Sequence, residues 1–226
     1  MVGLIILIIL SWGLLWLFDK SNLWVLGINP TIRRNLDLTF GFLASSFICA
    51  FSFILIILLS KTKLTINTDY SLLIFLKSFF WVIKSVLTEE FFFRGALLYI
   101  AIKKIGIKGA CILASIAFGI YHWFSYGVLG NIPQMIYIFI LTGIGGLVFS
   151  YAFALTKSLY LPIGLHLGWN FVTVVVFSQG PLGKQLLISS GGQLLGILWS
   201  IFFFIYQVVV LAFVTYWYLK RHKNLY

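Results

Sequence analysis

Leu38 to Ser60 reads LTFGFLASSFICAFSFILIILLS, a run of 23 residues without one charged side chain. As an α-helix rising 1.5 Å per residue it reaches roughly 35 Å, enough to cross a hydrocarbon core of about 30 Å. Working outward, comparable apolar stretches lie near 2–18, 71–102, 109–126, 134–155, 158–178 and 193–219. The pattern predicts an all-α, polytopic transmembrane helix bundle of about seven to eight membrane segments. Composition agrees: 62% of the chain is hydrophobic and 9% charged, which excludes a soluble domain, since water-facing surfaces carry far more charge. The connections leave no room for a soluble module, so 1–226 reads as a single integral membrane domain.

The stretch 71–102 is too long for one upright span. Its 32 residues would extend about 48 Å as one helix. It is expected to tilt, to break, or to begin as an interfacial segment, with Lys77 and Lys84 on nearly one face. Cys49 and Cys111 both fall within apolar runs and imply neither a disulfide framework nor a cysteine metal site. The first stretch, starting Met1-Val-Gly-Leu without a basic preamble, reads as a retained span.

The net charge of +11 points to lipid headgroups, and no nucleic-acid partner is expected, because most basic residues sit in short loops. One set of alternate loops and the tail hold Lys20, Arg33, Arg34, Lys103, Lys104, Lys108, Lys157, Lys220, Arg221 and Lys223; the other set holds only Lys61, Lys63 and Lys184. This bias puts the carboxyl terminus in the cytoplasm. Trp24, Trp217 and Tyr218 suit an interfacial aromatic belt.

In so apolar a chain the ionisable groups at membrane depth carry the information, since each is costly unless paired or hydrated. Glu89 and Glu90 stand in Thr88-Glu-Glu-Phe-Phe-Phe-Arg94-Gly95, His122 ends Phe118-Gly-Ile-Tyr-His122, and His166 precedes Asn170 by one helical turn. Glu90 lies thirteen residues before Lys103, His122 fourteen after Lys108, and Asn170 thirteen after Lys157. At 1.5 Å per residue all three sit roughly 20 Å from the basic loops, so three helices bring polar groups to one stratum. A carboxylate beside an imidazole can take a proton from water, and a second imidazole with a carboxamide can donate to the oxyanion formed when that water attacks a carbonyl. Glu90 with Arg94 four residues on reads as a structural ion pair, which leaves Glu89 free to face a cavity.

These three motifs, in this order on successive hydrophobic helices, resemble the CPBP (CAAX prenyl protease and bacteriocin-processing, or Abi) family over about 88–170. The resemblance implies an intramembrane endopeptidase, with a catalytic core at about 71–178. In it Glu89 and His122 would activate water, His166 and Asn170 would hold the oxyanion, and Glu90 and Arg94 would support the site. It implies membrane lipid and a peptide or membrane-protein substrate as partners. No cofactor is expected; the alternative is a zinc ion held by Glu89, His122 and His166, against which stands the lack of an H-E-x-x-H pattern. The site is expected to open toward the cytoplasmic, basic side, in the plasma membrane of a bacterium.

Bland readings stand beside each of these. Glu89, Glu90 and Arg94 could form a packing network, and His166 with Asn170 could be interhelical glue. Gly143, Gly145 and Gly146 read as points of close helix approach, and Pro162 with Gly164 as a kink or local unwinding. Two other functions stay open: a non-enzymatic bacteriocin self-immunity protein on the same scaffold, and a small proton-coupled transporter, against which stands the absence of repeated halves.

Overall fold

The structure, a computed structural model, describes residues 2–222 and 224; Met1, and Lys223 of the basic tail, lie outside the described residues. The described residues form seven α-helices: α1 Val2–Asp19, α2 Ile32–Ser60, α3 Leu72–Phe93, α4 Ala96–Ser125, α5 Ile132–Thr156, α6 Tyr160–Asn170 and α7 Ile197–Arg221. Two short strands, β1 Lys63–Ile66 and β2 Leu187–Ser190, pair antiparallel with Lys63 opposite Ser190. The helical polytopic architecture is as the sequence predicts, apart from this ribbon.

The number of membrane segments needs correction. Four helices, α1, α2, α5 and α7, are long and apolar enough to cross a membrane, and the apolar run Tyr160–Val176 is shorter. Seven apolar stretches in the sequence therefore do not make seven equivalent spans. In α3 the four charged side chains Lys77, Lys84, Glu89 and Glu90 interrupt the apolar surface. In α4 the backbone leaves helical geometry at Gly106 (φ 75°, ψ 165°). A straight helix would hold Leu97 and Ala117 about 30 Å apart, yet both line one apolar hollow, so α4 folds back on itself at that glycine. The over-long stretch 71–102 is thereby resolved: it breaks at Arg94–Gly95, between α3 and the first leg of α4.

The bundle has two distinguishable ends. At one, Lys103 pairs with Asp19 at 2.6 Å, and the Leu159 N–H and Ser158 hydroxyl donate to the carbonyls of Leu26 and Gly27. This basic end gathers the starts of α2 and α6 with the ends of α1, α5 and α7. At the other, the β-ribbon lies beside the end of α2, where the Gln193 N–H donates to the Ser60 carbonyl. Thr31 caps α2 by accepting from the Arg34 N–H, and Ser71 caps α3 by accepting from the Ile74 N–H.

Short α6 is the core of the bundle. Leu161 and Leu165 are fully buried in a cluster with Ile48, Phe149 and Leu211. Gly164 and Gly168 let α6 lie directly on α2: a Cβ at either would collide with the Leu38 or Phe42 carbonyl oxygen. Close backbone approach through small residues is how membrane helices associate, because lipid tails supply no hydrophobic drive between them. Pro162 falls in the first turn of α6, where no intrahelical N–H bond is lost. The departure from α-geometry comes later, as a π-helical continuation over Phe171–Val176. Tyr218 is also not a belt residue; it is buried and donates to Asp37 at 2.7 Å.

Candidate active site

The break after α3 builds the base of the site. Arg94 turns back one helical turn and donates from Nη1 to Glu90 Oε1 at 3.1 Å, and from Nη2 to the Gly146 carbonyl of α5 at 3.1 Å. Both side chains are completely buried. The guanidinium lies over the Phe118 ring with its centre 4.1 Å from the centroid, and Phe149 flanks it at 5.3 Å. Burying such a pair is costly, and here the cost is offset by hydrogen bonds and aromatic faces. A Cβ at Gly146 would lie 2.8 Å from Phe118 and 3.1 Å from Arg94 Nη2, so this glycine admits both. Gly143 and Gly145 are not close-approach points: the nearest atom to a Cβ on Gly143 is at 3.6 Å, and Gly145 faces open space.

Above this base the two histidines are oriented by acceptors. His166 Nδ1 donates to Glu90 Oε1 at 2.7 Å, and His122 Nδ1 donates to the Phe118 carbonyl at 2.8 Å. A carbonyl can only accept, so the proton of neutral His122 is on Nδ1 and its Nε2 carries the lone pair. Both Nε2 atoms converge on one carboxylate oxygen: Glu89 Oε2 is 3.9 Å from His122 Nε2 and 3.7 Å from His166 Nε2. These separations are too long for direct hydrogen bonds. Ser85 donates to the other oxygen, Glu89 Oε1, at 3.4 Å. Glu89 Oε2 and Glu90 Oε2 are buried and have no hydrogen-bond partner among the described residues.

Asn170 lies one turn beyond His166, where α6 passes into the π-helix, and is half-buried. It lines both cavities that meet at the site. The larger, of about 380 Å³, contains Glu89, His122, His166 and Asn170, and is bounded by Ser125 and by Gln179–Pro181. The smaller, of about 100 Å³, runs from His122, His166 and Asn170 between α5 and α7, where Gln207 is a polar residue on its wall. The cavity holding Glu89 opens at the ribbon end, not at the basic end as expected. The reason is visible in α4: His122 is three residues from its end at Ser125, so a group about 20 Å from the basic loops is nearer the opposite face.

The structure thus brings Glu89, Glu90, Arg94, His122 and His166 into one cluster, with Asn170 beside it. Sequence reasoning missed Ser85, which its spacing of four before Glu89 could have flagged. It also missed the backbone carbonyls of Phe118 and Gly146, for which no side-chain signal exists. Among the described residues no group of three or more His, Cys, Asp or Glu side chains is arranged to hold a metal. Glu89 Oε2 stands wider from both imidazoles than the donors of a tetrahedral zinc site, which lie about 3.3 Å apart.

Comparison with known proteins supplies one match. Residues 70–172 match the model of the Rce1-like type II CAAX prenyl endopeptidases. No curated protein and no solved structure matches the chain. The matched stretch contains Glu89, Glu90, Arg94, His122, His166 and Asn170, but neither α1, α2 nor α7. Residues 70–172 are therefore a domain of the Rce1-like, CPBP/Abi, type II CAAX prenyl endopeptidase family.

Proposed function

We propose that the protein is an intramembrane endopeptidase that hydrolyses peptide bonds of membrane-associated substrates with water activated by Glu89 and His122. The observation that carries this reading is the convergence of two imidazole Nε2 atoms on Glu89 Oε2, at 3.7 and 3.9 Å, from two other helices. A packing network would close such distances to direct hydrogen bonds; left open, they leave Glu89 Oε2 buried without a partner among the described residues, and in this reading the attacking water is that partner.

In the proposed reaction the water gives a proton to Glu89, with His122 Nε2 as its second acceptor, as its oxygen attacks the scissile carbonyl carbon. The carbonyl oxygen becomes an oxyanion held by Asn170 Nδ2–H and His166 Nε2–H. His166 donates from Nε2 only as the imidazolium, and Glu90 at its Nδ1 offsets that charge. With Arg94 positive and Glu89 and Glu90 negative, the cluster is then neutral, which answers the cost of charge at membrane depth. Collapse of the intermediate breaks the C–N bond, and the leaving amine takes the proton from Glu89. The family match supports a CAAX-type prenylated peptide as the substrate to try first. The chain would sit in a bacterial plasma membrane with its basic end and carboxyl terminus in the cytoplasm, as the lysine and arginine bias supports.

The test is Glu89→Gln, which removes the base and keeps the shape. Protein in liposomes is given a prenylated CAAX peptide, and the membrane proteomes of cells making either form are compared for new protein termini. Wild type is expected to cut and Glu89→Gln to be inactive with an unchanged melting temperature. Equal cleavage products from a well-folded Glu89→Gln protein would overturn the reading.

A further inference from the structure

At the basic end, remote from the polar site, a hollow of about 330 Å³ lies between the loop before α2, the first turn of α2 and the end of α5. Arg33, Arg34 and Lys157 line it, together with Asn29 and Asp37. Asp37 is the one acid among these lining residues, and it is already engaged: it is buried, pairs with Arg33 at 3.3 Å and accepts from Tyr218 at 2.7 Å. Arg34 donates to the Asn29 carbonyl at 2.9 Å and to the Asn29 side chain, both neutral. Lys157 is exposed at the left-handed residue that ends α5 (φ 51°), and among the described residues it makes no ion pair. Two cations from different segments, Arg34 and Lys157, therefore line one hollow and pair with no acid among the described residues. The first turn of α2 contains no acid, and arginines at the positive end of a helix dipole are unfavourable there unless an anion joins them.

The surroundings identify the anion's carrier. Ile32 is 83% exposed, and Leu36 and Leu155, each next in sequence to a residue that lines the hollow, are exposed at 54% and 44%. Such a flank is unfavourable in water and natural against acyl chains. We propose that this hollow binds the phosphate of an anionic phospholipid headgroup, with Arg34 and Lys157 as charge partners and the Ile32, Leu36 and Leu155 flank against the acyl chains. The site is independent of the catalytic reading and uses α2, which lies outside the family match.

The test uses the full chain in neutral detergent micelles doped with phosphatidylglycerol or phosphatidylcholine, and bound lipid is counted by native mass spectrometry. Wild type should retain phosphatidylglycerol at least about tenfold better. Each cation near a lipid surface contributes roughly fivefold, so Lys157→Gln should lose about that much and Arg34→Gln/Lys157→Gln most of the preference. Among the described residues Lys157 has no ion-pair partner to lose, so its variant keeps the test valid if the double variant folds poorly. Lys61→Gln/Lys63→Gln at the ribbon end should change nothing. Equal retention of phosphatidylglycerol by wild type and Lys157→Gln, or an equal loss in the Lys61/Lys63 variant, would overturn the proposal. A thermal shift with millimolar inorganic phosphate, lost in the double variant and without any lipid preference, would also overturn it by reassigning the hollow to free phosphate.

Discussion

Asn170 and His122 differ in what each can give a reaction. A carboxamide only donates or accepts hydrogen bonds, whereas an imidazole with its Nδ1–H fixed on the Phe118 carbonyl offers the Nε2 lone pair to water. Asn170→Ala should therefore lower kcat by roughly 10² to 10³, about 2.7 to 4 kcal/mol of transition-state stabilisation, with KM little changed. His122→Ala should be more damaging, since it disables water activation. Steady-state kinetics of the two variants on one peptide checks the order, and unchanged turnover in Asn170→Ala would return the His166–Asn170 pair to helix packing. Metal analysis of the same preparations adds a second arm: stoichiometric zinc that disappears in His166→Ala would refute water activation without metal.

The position of His166 depends on α6 lying flush against α2. Gly168 leaves no room for a side chain between itself, the Phe42 carbonyl and Ser45 Oγ. A backbone oxygen cannot rotate out of the way as a flexible side chain can. Gly168→Leu should lower stability by about 1 to 3 kcal/mol or more through overpacking, and reduce activity further by displacing His166 and Asn170. Gly145→Ala is the control, because a Cβ there meets no atom within 4 Å. Thermal unfolding in detergent distinguishes them: equal melting temperatures for the two variants would show that the α2–α6 approach is not tight.

The two ends of the bundle carry unequal charge, and a membrane reads that difference. If the basic end is cytoplasmic, a reporter fused after Tyr226 should be active inside the cell and one inserted at Lys184 active outside. The reverse pattern would invert the orientation and put the opening of the Glu89 cavity, which lies at the ribbon end, on the cytoplasmic side. Either result leaves the four long apolar helices as spans, since their length and composition do not depend on orientation.

Apolar runs and stranded charges are local properties, and they were readable in the sequence: the helices, the lipid setting, and Glu89, Glu90, Arg94, His122, His166 and Asn170 as the polar groups stranded on them all follow from the pattern along single helices. Depth also follows, because a helix converts residue number into distance. What one helix cannot encode is its partner. That α4 folds back at Gly106, that α6 rather than a longer helix is central, and that Arg94 finds the Gly146 carbonyl depend on backbone contacts between segments far apart in the chain. The direction in which the site opens was decided the same way. Counting from the basic loops gave the depth of His122, but only packing the ends of α4 and α6 against the loop at Gln179–Pro181 determined which face the cavity reaches.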